Sequence, residues 1–161
     1  MTALAAPNPG NYTLGAHEML IGGVSVGNIV NATISVAQED LSHFSAIMGG
    51  DAPDPALCQS LSIRIRATLD EPNAVNLKKF FLADSSFRVG MAAPIIDAVT
   101  FNGIAIVGNV FSWAIPKAAI KGEGDFGYTT DDWAKFALNI GLLYNALTPT
   151  APFGTITHSG V

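Results

Sequence analysis

The residues best placed to do chemistry lie between Lys121 and Trp133, in the stretch KGEGDFGYTTDDW. Gly122, Gly124 and Gly127 have the G-x-G-x-x-G spacing of a dinucleotide-binding loop. In such a loop, backbone N–H groups and a helix N-terminus meet a pyrophosphate. The neighbouring residues argue against that chemistry. Glu123 and Asp125 fill the variable positions and Asp131 and Asp132 follow, so four carboxylates would surround a bound anion. No Asp or Glu occurs beyond Asp132, which leaves no acidic residue at the distance of about 20 positions where a ribose ligand belongs. Too little chain follows Gly127 to complete a doubly wound sheet. The glycines read instead as a tight connection between two strands.

Other reactive residues are scattered. His17, His43 and His158 are far apart and lack metal-ligand spacing. His43 has Glu39, Asp40 and Asp51 nearby, but reads as a solvated loop histidine. The stretch GGDAPD lacks the alternating ligands and terminal Glu of a calcium loop. Neither G-x-S-x-G nor H-E-x-x-H is present. Cys58 is the only cysteine, so no intramolecular disulfide supports the fold, and the residue reads as a small apolar side chain. The expectation is no catalytic residue, no cofactor and no metal.

Composition points the same way. Of 161 residues, 49% are hydrophobic and 13% charged, about half the charged fraction usual for a soluble domain (about 25%). Such a chain has surface to spare for packing against other subunits. The net charge is −5, with eight Lys and Arg and no basic run longer than Lys78-Lys79. Tight nucleic-acid binding is not expected of it. The N-terminal MTALAAPNPGNY has neither the basic start nor the apolar run of a signal peptide. The apolar stretch Met91–Pro116 is interrupted by Pro94, Asp97, Asn102, Gly103 and Asn109, so it reads as strands rather than a membrane span.

The elements follow from periodicity. Residues 1–16 read as an arm. Val30, Ala32, Ile34 and Val36 alternate with polar residues, predicting a strand with one buried face. Residues 38–57 break the pattern with Gly49-Gly50, Pro53 and Pro55. This long loop holds Leu41, Phe44, Ile47 and Met48, which suit docking onto a neighbour better than exposure to solvent. LSIRIRATLD is a second strand, with Arg64 and Arg66 on its polar face. Around 72–83 the period changes to that of a short helix, its apolar face formed by Val75, Leu77, Phe81 and Leu82. Asn102-Gly103 between β-rich runs predicts a hairpin turn. Pro116 marks an edge or irregularity. Trp133–Ala146 fits a strand by alternation and a helix by its 3.6-residue pattern.

Several stretches together resemble the tail tube proteins of tailed bacteriophages. They are IPKA (Ile115–Ala118), the glycine-containing turn Gly122–Gly127, DDWA (Asp131–Ala134) and PFGTIT (Pro152–Thr157). Upstream, Gly27–Glu39 is similar to the family's early strand, and LSIRIRATLDEPNAVNLKKFF to its strand and helix. The resemblance covers most of residues 15–160 and contains no catalytic signature. It implies a mainly β fold, a β-sandwich or partial barrel with one short flanking helix, in a single domain spanning residues 1–161. It also implies that Trp133–Ala146 is a strand. By this resemblance the chain would be a virion structural protein assembled in the host cytoplasm. It would form hexameric rings stacked into a tube around a tape-measure protein, with tail terminator and initiator proteins at the ends. DNA would pass through without tight binding, and no membrane would be involved. Loop 38–57 would contact the next ring, and the N-terminal arm and the C-terminal tail 148–161 would make further contacts between subunits. The inner tube of a contractile injection device, with its sheath, shares the same physics. The alternative from the residues alone is a β-barrel holding a small apolar ligand.

Overall fold

The computed structural model describes residues 14–41, 57–107, 110–127 and 130–159. The elements are β1 (Leu14–Ile21), β2 (Val24–Ser25), β3 (Ile29–Leu41), β4 (Leu57–Leu69), α1 (Ala74–Phe81), β5 (Ile95–Val107), β6 (Val110–Gly127), β7 (Lys135–Leu142) and β8 (Thr155–Ser159). Among the described residues the fold is mainly β with one short helix, as expected. These strands belong to one antiparallel sheet, ordered β2-β1-β5-β6-β7-β4-β3, and β8 also pairs with β6. The described strands therefore make one open antiparallel sheet.

Alternation puts one face of each central strand into a common core. Met19, Ile21, Ile65, Ala67, Leu69, Val99 and Phe101 point into it, as do Trp113, Ile115, Ala118, Ile120, Phe136, Leu138 and Ile140. A flat sheet cannot cover its own face. These side chains are buried because the sheet curls until both flanks share the core and α1 closes part of the opening. β7 shows how strongly coverage shapes the outcome. Phe136, Leu138, Ile140 and Leu142 are all buried, and of the ambiguous segment Trp133–Ala146 the part Lys135–Leu142 is a strand.

Helix α1 is bounded by identifiable caps. The Asn73 side-chain oxygen accepts a hydrogen bond from the Asn76 backbone N–H at 2.9 Å, as expected of an N-cap. Leu82 ends the helix in the left-handed region. The buried face differs from the predicted one. Val75 and Phe81 are exposed, and Asn76 is the buried polar residue. The Asn76 amide donates to Val26 O at 2.7 Å and Glu71 O at 3.1 Å, tying the helix to the segment that leads into β3. Phe80 contributes an edge-on contact to Phe136. Leu77 and Leu82 of the predicted face are half-buried, but the position with two carbonyl partners goes inside ahead of a valine.

Two turn readings are corrected. Asn102 and Gly103 lie inside β5, opposite Glu18 and His17 of β1, so there is no hairpin turn at this place. A Cβ on Gly103 would come within 2.5 Å of the Phe111 carbonyl oxygen, so the glycine serves close approach of two strands. Gly122, Gly124 and Gly127 lie within β6 and do not connect two strands. A Cβ on Gly122 would lie 2.3 Å from the Phe80 carbonyl, and Gly124 has φ +73°, where the β6–β7 register shifts between Glu123 and Gly127. Pro116 stands at an irregularity of β6, the second of the two expected settings. Pro116 and Lys117 together stand opposite Ala98, since Ile115 pairs with Val99 and Ala118 with Asp97. A bulge tolerates a residue without an N–H.

Two strands overlap the segments expected to be the arm and the tail. Leu14–Ala16 begin β1, so the arm can extend only to residue 13. In the predicted tail, Thr155–Ser159 form β8 and pair with Val110–Ala114 of β6.

Candidate assembly surface

The β3–β4 pair extends well beyond the rest of the sheet. β4 pairs with β7 only from Arg64 to Leu69, whereas β3 and β4 stay paired out to Leu41 opposite Leu57. Residues 57–63 and their partners thus form a two-stranded ribbon about 23 Å long, at about 3.3 Å per residue. A two-stranded ribbon alone is marginally stable in water.

The core-side face of this ribbon is apolar but uncovered. Ile34 stands opposite Ile65 and Val36 opposite Ile63, and directly opposed residues share a face. Ile65 has no exposed surface, while Ile34 is 48% and Val36 64% exposed. Of the predicted buried face of β3, Ala32 packs against the core, while Val30, Ile34 and Val36 are exposed. The alternation is as read, but the sheet order ends at β3, with no strand beyond it among the described residues. Leu61, on the same face, is also exposed.

The opposite face of these strands is small and polar. Thr33 and Ser35 face Arg66 and Arg64 across β3–β4. Those arginines face Asn139 and Gly141 of β7, which in turn face Lys121 and Ala119 of β6. Arg66 Nε lies 3.5 Å from Glu123 Oε2. Asp70, the other acid within reach in sequence, instead accepts both contacts from Asn28 Nδ2 at 2.9 Å. A groove of about 580 Å³ runs over this face between Ser35, Ser62, Arg64, Arg66 and Asn139.

A second exposed apolar region surrounds the C-terminal end of α1. Phe87, Val89 and Met91 are more than half exposed, and Lys78 Nζ sits 4.3 Å from the centroid of the Phe87 ring. The Asp84 carboxylate organises this loop by accepting from the backbone N–H groups of Arg88 and Ser86 and from Arg88 Nε. These bonds, led by the Arg88 backbone N–H, hold its pKa below the usual aspartate value. Asp132 is likewise lowered, first by Lys135, whose Nζ lies 2.7 Å from it. Burial lowers the pKa of Lys79, partly opposed by Asp97.

Of the residues predicted to contact a neighbouring ring, Leu41 is the last residue of β3 and pairs with Leu57. Phe44, Ile47 and Met48 lie outside the described residues, as does His43. Since β3 runs to Leu41 and β4 begins at Leu57, the connection is residues 42–56, shorter than the predicted 38–57. Sequence reasoning missed the exposure of Ile34 and Val36, because no residue in β3 records that it lacks an outer neighbour. Among the described residues, no three His, Cys, Asp or Glu side chains are grouped to hold a metal ion. No helix among them is long and apolar enough to cross a membrane.

No protein-family profile and no curated protein matches the chain. Solved structures do. One, described as the sheath/tube terminator of PVC, an extracellular contractile injection system, in the extended state, aligns over 98% of this chain and 100% of its own, with a TM-score of 0.50 and 12% identity. Another, the sheath-tube complex of that system in the extended state, aligns over 92% and 90% with a TM-score of 0.49 and 11% identity. At 12% identity the first likeness is one of fold.

Proposed function

We propose that this chain is a structural subunit of a phage-tail-type tube, working by self-assembly and not by catalysis. The observation that carries this reading is the β3–β4 ribbon. It presents Ile34, Val36 and Leu61 to solvent beside an open strand edge. A free edge next to an apolar face is a hazard in a monomer and a joining surface in an assembly. Subunits joined head to tail through unlike surfaces form rings when the rotation closes and filaments when it does not. The low charge content fits a subunit covered on several sides.

In this reading, copies form hexameric rings that stack into a tube. The tube encloses a tape-measure protein and later conducts DNA. Terminator and initiator proteins bound its ends, a sheath surrounds it in a contractile system, and it works in the tail of a virion assembled in the host cytoplasm. The chain is a single tail-tube-like domain in which Leu41, Phe44, Ile47 and Met48 meet the next ring. The fold shared with a component of a contractile injection system supports this assignment.

Negative-stain electron microscopy across a concentration series tests it. Wild-type protein is expected to form rings or hollow tubes, and the variant Ile34→Lys with Val36→Lys to remain monomeric with an unchanged circular dichroism spectrum. Wild-type particles that stay monomeric at every concentration, also when mixed with preformed tube ends, would sink the reading. Rings that never stack would move the chain from tube subunit to terminator.

A further inference from the structure

We infer that the loop after α1, which carries Phe87, Val89 and Met91, docks onto the acidic hollow beside Trp133 of a second copy of this chain. The inference rests on the self-assembly proposed above and names one pair of surfaces that it joins.

The loop holds its apolar side chains out in a fixed shape. Phe87 has φ 61°, a left-handed conformation that a bulky side chain keeps only where its surroundings impose it. Asp84 supplies that constraint. Its carboxylate accepts from the backbone N–H groups of Ser86 and Arg88, on either side of Phe87, and from Arg88 Nε. Its carbonyl accepts from the Phe87 N–H at 3.0 Å. The result is a turn that presents Phe87, Val89 and Met91 to solvent with the Lys78 ammonium over the Phe87 ring. An exposed apolar cluster held this firmly has little ordering entropy left to lose on binding.

The complementary surface lies before β7. Trp133 is 80% exposed, and Trp is a side chain that anchors protein interfaces. Thr130, Asp131, Asp132 and Trp133 line a hollow of about 390 Å³. The two regions carry opposite charge. Residues 73–92 hold Lys78, Lys79 and Arg88 against Asp84, net +2 in a chain of net −5. Residues 123–135 hold Glu123, Asp125, Asp131 and Asp132 against Lys135, net −3. Within one copy both surfaces stay open. Trp133 leads into β7 at the end where Lys135 pairs with Gly127, while the loop returns to the sheet at Ile95, opposite Ile120, seven residues or about 23 Å back along β6. Charge and apolar character match across the two surfaces, so the occupant is a second copy, and because the surfaces are unlike the contact is heterologous. Lys78 and Phe87 then meet Asp131 and Trp133, pairing a cation with a carboxylate and an aromatic face.

Disulfide trapping tests the contact. Val89→Cys and Thr130→Cys are made in separate proteins, each with Cys58→Ser, so that the anchoring side chains stay in place. Under mild oxidation at assembling concentrations, the mixture is expected to give a cross-linked dimer that neither protein gives alone. Adding Trp133→Ala to the Thr130→Cys protein is expected to lower the yield at least about tenfold. Lys78→Glu in the Val89→Cys protein, or Asp131→Lys in the Thr130→Cys protein, is expected to lower it as well, and the two together to restore part of it. Circular dichroism checks that each variant is folded. Trapping that is indifferent to Trp133→Ala, or that occurs equally in either protein alone, overturns the inference. Rings or tubes without a trapped dimer reject this contact and leave self-assembly standing. Absence of both assembly and trapped dimer overturns the inference and counts against the proposed function itself.

Discussion

Ile34 and Ile65 face each other across one pair of strands, yet Ile65 is fully buried and Ile34 is nearly half exposed. The two residues have the same side chain, the same secondary structure and the same face of the sheet. The difference lies in what covers them. Ile65 has β7 on its other side and the curl of the sheet above it, packed against Leu138 and Ile140 in the core. Ile34 has neither, because β3 ends the sheet among the described residues. Alternation states that a face is apolar. It does not state whether the covering layer belongs to the same chain.

The contrast is tested most strongly by truncating both partners. Ile65→Ala is expected to cost about 2–5 kcal/mol, as for other large-to-small core changes. Ile34→Ala is expected to stay within about 0.5 kcal/mol in the monomer, as surface changes usually do. Urea unfolding at low protein concentration measures both. Equal costs would mean that β3 is covered within the single chain, removing the main support for an assembly surface.

The helix end of the core should be nearly as sensitive. Asn76→Ala removes both amide donors and leaves Val26 O and Glu71 O without them, at an expected cost of about 1–3 kcal/mol. Gly122→Ala forces a methyl group toward the Phe80 carbonyl, at about 1–3 kcal/mol. Thermal melts of the two variants would show whether α1 belongs to the same cooperative unit as the sheet. A silent Gly122→Ala would argue that the helix rides loosely on it.

The smallest effect is expected in the exposed loop after α1. The folded-state pKa of Asp84 is lowered, so its stabilising contribution is present above the ordinary aspartate pKa. It is lost as pH falls through the folded value. Between those two pH values, NMR shifts of the Ser86 and Arg88 amides should move while core amides stay in place. Asp84→Asn should largely remove that response. Simultaneous movement of the core amides would show that this loop is not independent of the sealed region.

Legibility in the sequence follows the same divide. β4 and α1 could be read from their patterns, and Asn73 caps the helix immediately after Pro72. The apolar face of Trp133–Ala146 became decisive once strand was chosen over helix, since Phe136, Leu138, Ile140 and Leu142 are all buried. Glycine misled three times. Asn102-Gly103, Gly122 and Gly124 were read as local turn chemistry, but at Gly103 and Gly122 the missing Cβ makes room for Phe111 and Phe80 from other segments. The arginine pair was visible, but its partner was not. Glu123 is 57 residues from Arg66 in sequence and reaches it only because β7 lies between β4 and β6.

By itself, the sequence determined the mainly β character of this protein, the short helix α1, its low charge and the absence of any recognisable catalytic or metal-binding motif. Those features follow from side-chain period, caps and composition, which are local. The tertiary structure decided the strand order, the purpose of the glycines, which face of α1 is buried and which apolar stripe is left without a cover. Each of these depends on which distant segments become neighbours, and local patterning does not encode that.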